Sequence, residues 1–190
     1  MGKHTWLISS GHGSNTPGKR YKFSNGLEIF EYDVNRKIAE KLFSKLEYAG
    51  VDFVRINPET TDITNTLRIR RANEFQKKYG NCVYVSIHNN AASDESANGF
   101  EWFTTRGITN SDKIVKVFHR NQKALFPELR DRGIKEADFT ELMGSMPSVL
   151  GEFMFFTNRK EAEILLSDEG QNKCAMALFN AIIEIETNSN

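Results

Sequence analysis

Four side chains in this sequence could combine into one reactive site: His12, Glu31, His88 and Glu152. His88 closes the run Val83-Tyr84-Val85-Ser86-Ile87, an apolar, β-branched segment of strand length, and Asn89 and Asn90 follow it. A buried central strand reads this way when its C-terminal end opens onto a working surface. In open α/β sheets, ligands bind beyond that carboxyl edge. His12 stands between Gly11 and Gly13, just after the apolar segment Trp6-Leu7-Ile8. Glycines there let the backbone turn sharply and approach a ligand. Glu31 lies in the first turn of a helical pattern, and Glu152 ends the strand-like run Ser148-Val149-Leu150-Gly151. Right-handed crossovers carry the loops after parallel strands to one edge of the sheet, so all four groups are expected there. Two neutral imidazoles and one carboxylate, with water completing the tetrahedron, make a catalytic zinc set. A further glutamate outside that set takes the proton of the attacking water and passes it to the leaving amine.

Spacing by itself leaves plainer readings open. The two histidines are far apart and there is no His-Glu-x-x-His helix, so no short metal motif is present. His88 reads equally well as a satisfied structural histidine, and Glu31 as a first-turn glutamate favoured by the helix dipole. Glu152 resists such a reading, because a carboxylate within the apolar run 149–156 is costly to bury without a partner. His4 and His119 read as surface or structural residues. Trp102 and Tyr84 read as core, with the wall of a sugar groove as the alternative.

The elements that must position these groups follow from periodicity. Residues 5–9 form a first strand, and 15–25 a long loop. Val34, Ile38, Leu42 and Leu46, widened by Ala39 and Phe43, mark a helix over 31–49 that stops at Gly50. Strand 51–56, helix 64–79, central strand 82–88, loop 91–98 and strand 99–103 come next. A third helix starts at a Ser111 cap and runs to about 126; 132–142 is irregular or short-stranded; 148–153 is a strand, and about 168–186 a last helix. Strands alternating with helices predict an α/β sheet covered on both faces, a three-layer α/β/α arrangement. Neither repeats nor a long linker divide residues 1–190, so one domain is expected.

Composition narrows the classes. The 190 residues carry 25 basic and 25 acidic side chains, so no global field draws the chain to nucleic acid or an acidic membrane. No segment approaches the roughly 20 apolar residues of a membrane span. The first residues lack the pattern of a secretory signal. Cys82 and Cys174 are expected as buried, reduced thiols of a protein made in a reducing compartment.

Through these residues the chain resembles the zinc-dependent N-acetylmuramoyl-L-alanine amidases of the type-3 family, from about residue 7 to 185. Gly11-His12-Gly13, Glu31-Tyr32-Asp33-Val34-Asn35, Arg68 with Ala72-Asn73, and Ser86-Ile87-His88-Asn89-Asn90 are similar to its ordered motifs. So are Arg132-Gly133-Ile134-Lys135 with Phe139, Met146-Pro147-Ser148-Val149-Leu150-Gly151-Glu152-Phe153, and Asn158. The resemblance implies a phosphorylase/hydrolase-like fold with a mostly parallel, mixed sheet. It implies zinc held by His12, Glu31 and His88, and Glu152 as general base and then general acid. The bond cut would be that between N-acetylmuramic acid and L-alanine of peptidoglycan. Zinc would lower the pKa of its water from near 16 to about 7 and polarise the carbonyl. Asn89 and Asn90 would orient the substrate or support the ligands, while Arg68 and Arg132 are either solvated or capping groups or substrate contacts. Three departures stand out. Ser14 replaces a second glycine, Glu28 rivals Glu31 because the Gly-Leu-x-Glu spacing is broken, and bulky Phe153-Met154-Phe155 follow the catalytic carboxylate.

The competing readings are a zinc peptidase with the same site chemistry, a peptidoglycan-binding module without turnover, and a glycosidase using Glu31 and Glu152. The module should have lost a ligand or the acid, and the glycosidase leaves both histidines without a role. A monomer acting on the cell wall is expected. Made without a leader, it resembles a phage endolysin released through a separate pore.

Overall fold

The computed structural model describes residues 3–188. Its six-stranded sheet is built from β1 (Thr5–Ser10), β4 (Phe53–Arg55), β5 (Cys82–Asn90), β6 (Phe100–Thr104), β7 (Asp131–Glu136) and β8 (Ser148–Phe155), in the order β4-β1-β5-β8-β6-β7. β4, β1, β5 and β8 run parallel, β6 lies antiparallel to β8, and β7 is parallel to β6. The expected mixed, mostly parallel sheet is therefore found.

Alternation along the strands divides the interior into two faces. Trp6 and Ile8 of β1 and Val83, Val85 and Ile87 of β5 join the larger core with α1 (Glu31–Ala49), α3 (Ser111–Leu125) and α5 (Asp168–Asn188). Leu7, Cys82 and Tyr84 face the other way, onto Ile69 and Ala72 of α2 (Asn65–Tyr79) and Met146. On that second face the apolar pattern gives way to Ser9, Ser86 and His88 toward the carboxyl edge. All three are buried.

The helices form where the stripes predict. Val34, Ile38, Ala39, Leu42, Phe43 and Leu46 are all buried in α1, and Gly50 ends it in the left-handed region at φ 66°. Thr64 Oγ1 accepts from Leu67 N–H to cap α2. At α3 the cap position belongs to Asn110, and Ser111 Oγ instead accepts the N–H of Ser148.

Other boundaries shift for identifiable reasons. The expected loop 15–25 contains β2 (Arg20–Lys22), which pairs with β3 (Glu28–Phe30) in a separate hairpin. Three-residue strands are too short to show a period. The segment 132–142 resolves into β7 and a 3₁₀ turn, Thr140–Leu142, and α4 (Arg159–Leu166) is an added helix capped by Asn158. β5 and β8 continue past His88 and Glu152, because pairing resumes at Asn90 with Phe155 after a register shift. Both cysteines are buried and free, and no described helix is long and apolar enough to cross a membrane.

Candidate metal centre

Strand register sets the first relationship. His88 lies opposite Glu152 across β5 and β8, and Glu152 lies opposite Glu101 across β8 and β6. On the other side of β5, β1 stops at Ser10 and the chain turns through Gly11-His12-Gly13. The expectation that the glycines supply the sharp turn needs correcting. His12 itself adopts the left-handed conformation, at φ 65°. That conformation costs a non-glycine residue about 1–3 kcal/mol. Gly11 and Gly13 are required for space: a Cβ on Gly11 would collide with the His88 ring, and one on Gly13 with the backbone of Asp62. Ser14 has no such constraint, and its N–H donates to Thr60 O at 2.9 Å. Alanine at Gly11 is expected to push His88 aside and weaken metal binding about tenfold or more, which chelator competition would measure.

Two arginines hold the strained turn. The His12 carbonyl accepts from Arg36 Nη1 at 2.9 Å and from Arg68 Nη2 at 3.3 Å. Arg68 also donates to Ser10 O at 2.7 Å, Ile63 O at 3.2 Å and Ser9 Oγ at 3.2 Å, and pairs with Asp62 at 2.8 Å. It is 1% exposed, so it is neither a solvated residue nor one that reaches substrate. An arginine in an amphipathic helix gives no sign in the sequence of which carbonyls it serves.

Glu31 opens α1 and is buried beneath the two imidazoles. Its Oε1 accepts from Asn89 N–H at 3.1 Å and Asn35 Nδ2 at 3.4 Å, and lies 3.3 Å from His88 Nδ1. Its Oε2 lies 3.3 Å from His12 Nε2 and 3.7 Å from Lys19 Nζ. Burial by itself would push the Glu31 carboxyl up, but the imidazoles of His12 and His88 beside its two oxygens together hold it well below the usual range. Glu28, its rival, is exposed in β3.

Ligand atoms of His12, Glu31 and His88 all lie within 4.8 Å of one another, a group that can hold a metal ion. The fit is supported by orphaned atoms: His12 Nε2, Glu31 Oε2 and Glu152 Oε2 are shut off from solvent without a hydrogen-bond partner. Buried polar atoms rarely stay unpaired. Two of the three belong to the His12, Glu31 and His88 group and leave a place for a cation there. Burial, the largest influence, together with Glu31 pushes the Glu152 carboxyl up to about 8, with His88 opposing.

The expected substrate-facing residues divide. Asn89 is 2% exposed and donates from Nδ2 to Asn35 Oδ1 at 2.8 Å, behind Glu31 rather than on an open groove. Asn90 Nδ2 donates to Glu101 Oε1 at 2.7 Å, and Arg132 Nε donates to Glu101 Oε2 at 3.0 Å with its guanidinium over the Phe155 ring. Lys135 also pairs with Glu101. Phe153, Met154 and Phe155 are buried core residues, so their bulk does not reshape the open edge. Trp102 and Tyr84 are core as well. His4 pairs with Glu186 and His119 with Asp131, both away from the cluster.

Sequence reasoning missed Glu141. It comes from the 3₁₀ turn, is 2% exposed and meets His88 on the ring nitrogen opposite Glu31, with Oε2 3.0 Å from Nε2. A signal did exist: Ser9 and Ser86 are in register on one face, next to Tyr84. Three hydroxyls on a buried face require an acceptor. The sequence could not name which carboxylate supplied it.

An α/β sheet carrying two imidazoles, a buried ligand-ready carboxylate and a second carboxyl shifted upward defines a hydrolase of the metal-assisted class. The chain belongs to the N-acetylmuramoyl-L-alanine amidase family, which matches residues 7–184. The YqiI protein of Bacillus subtilis is 32% identical over 179 residues, covering 94% of this chain and 82% of that protein. The N-acetylmuramoyl-L-alanine amidase LytC of the same organism is 32% identical over 182 residues, 94% of this chain but only 35% of LytC. Among solved structures, an N-acetylmuramoyl-L-alanine amidase from Clostridium difficile 630 superposes with a TM-score of 0.88 at 28% identity, covering 100% of both chains.

Proposed function

We propose that this chain hydrolyses the amide between N-acetylmuramic acid and L-alanine in peptidoglycan, with zinc held by His12, Glu31 and His88. The observation that carries this reading is the grouping of His12, Glu31 and His88, whose ligand atoms all lie within 4.8 Å of one another, with His12 Nε2 and Glu31 Oε2 buried and unpartnered. Family membership supplies the bond class. When bound, zinc would supply Lewis acidity to a water and to the scissile carbonyl, and positive charge that favours ionised Glu152. Glu152 Oε2 then accepts a proton from the attacking water as oxygen adds to the carbonyl carbon. It returns that proton to the alanine nitrogen as the C–N bond breaks, giving a lactyl carboxylic acid and a free amine, and the acid's remaining proton passes to the amine to leave carboxylate and ammonium. Glu31 Oε1 stays anchored by Asn89 and Asn35, leaving Oε2 as its ligand atom.

The test pairs metal content with the bond cut. About one zinc per chain and release of stem peptides with new N-terminal alanine are expected from purified peptidoglycan. New sugar reducing ends, or cuts inside the peptide, would overturn the substrate bond while leaving the site intact. A chain that binds no zinc would overturn the ligand set.

A further inference from the structure

We infer that Glu141 is a positioning residue for the metal site, fixing the His88 ring so that Nε2 carries the proton and Nδ1 faces the ion. The inference rests on the reading of His88 as a ligand. The two nitrogens of His88 point to two carboxylates, Nδ1 to Glu31 at 3.3 Å and Nε2 to Glu141 at 3.0 Å. Nδ1 is the nitrogen turned toward Glu31, which shares with His12 and His88 the group that can hold an ion, and Glu141 is not a member of that group. Glu141 therefore acts through the imidazole and not as a ligand. A carboxylate on the far nitrogen of a ligating histidine sets its tautomer and orientation and raises its basicity.

Glu141 is itself held unusually firmly. Its Oε1 accepts from Tyr84 OH at 2.9 Å, Ser86 Oγ at 3.0 Å and Ser9 Oγ at 3.4 Å, leaving Oε2 for His88. Arg68 Nη1 stands 3.8 Å away as the compensating cation. These donors sit on β1, β5 and α2, so the carboxylate is tied to three elements before it meets the ring. A buried glutamate included only for packing would have no need of that many convergent donors. The same network joins Ser9, two residues before the Gly-His-Gly turn begins, to His88, linking the supports of both histidine ligands.

The test compares wild type with Glu141→Gln, and with Tyr84→Phe, which keeps the charge and removes one donor to it. Two quantities are measured: zinc dissociation constant by chelator competition, and ¹⁵N NMR of the His88 ring in the metal-free and zinc-loaded protein. Glu141→Gln is expected to weaken zinc binding about 10–100-fold and to shift the Nε2–H signal of His88. Tyr84→Phe should act in the same direction by a smaller factor, and it carries the test if Glu141→Gln fails to fold. Unchanged zinc affinity in a folded Glu141→Gln, or in Tyr84→Phe if that is the only folded variant, would overturn the positioning role. So would a wild-type ring found protonated on Nδ1 with zinc bound at Nε2. If wild type binds no zinc, the ligand reading itself falls; if wild type binds and the variants bind equally, only the role of Glu141 falls.

Discussion

Under the proposed role of Glu152, glutamine at position 152 is expected to lower peptidoglycan hydrolysis about 10²–10⁴-fold, the usual worth of a positioned general acid–base group, without releasing the metal. Glu152 is outside the ligand group, so metal content separates this variant from one that damages the site. A second effect goes the opposite way. In the metal-free chain the Glu152 carboxyl is pushed from 4.5 up to about 8, chiefly by burial. Between those values the folded chain holds a proton that the unfolded chain has given up. Its contribution to stability is thus fully present below 4.5 and is lost as pH rises toward about 8. Glutamine does not titrate. Metal-free Glu152→Gln should therefore melt progressively higher relative to wild type as pH is raised from 4 to 8, with the gap smallest at the acid end. Thermal melts across that range check it. A gap independent of pH would show that Glu152 is ionised in the metal-free fold and that burial does not dominate its environment.

That opposition, gain in stability against loss of turnover, explains which part of the site could be read from sequence. Residues that break a local rule stand out. A carboxylate in Val149-Leu150-Gly151-Glu152-Phe153 and an imidazole closing Val83–Ile87 contradict their apolar surroundings, and the two lie opposite each other across β5 and β8. The long helices were equally legible, because α1 repeats its apolar positions over nineteen residues and ends on a left-handed glycine, whereas the eight-residue α4 was not. What obeyed local rules stayed hidden. Glu141 sits in an irregular segment where a glutamate is unremarkable, and its importance comes only from a turn that folds back over β5. The β2–β3 hairpin has three residues per strand, too few to show alternation. At Gly11 and Gly13 the residue type was informative but its reason was not. Contact with His88 and Asp62 demands the missing Cβ, and those partners lie about fifty or more residues away in sequence.

Arg68 shows how far a tertiary role can exceed its local one, and Arg68→Met should be the most damaging single change to stability. Methionine keeps much of the apolar stem's volume on α2 but removes every donor. Ser10 O keeps Asn57 Nδ2 but loses the other of its two 2.7 Å donors, and Ile63 O and the strained His12 carbonyl each lose a donor. Asp62 and Glu141 lose a cation, and Glu141 is the buried one. Breaking a buried ion pair by removing one partner costs about 3–5 kcal/mol. The Glu141 carboxyl is held down at about 2, against the upward push of burial, by His88 and by Arg68. Without the guanidinium that balance weakens from one side. Urea unfolding of metal-free protein at neutral pH is expected to show a loss of about 3–5 kcal/mol. Lysine should not restore it, since a single ammonium cannot reach Ser10, His12, Ile63 and Asp62 from one planar fork. Because Arg36 still holds the His12 carbonyl, the turn should survive in the folded fraction with weakened zinc binding. A loss below about 1 kcal/mol, the range of an exposed pair, would mean that water replaces the guanidinium and that the turn is held by Arg36 alone.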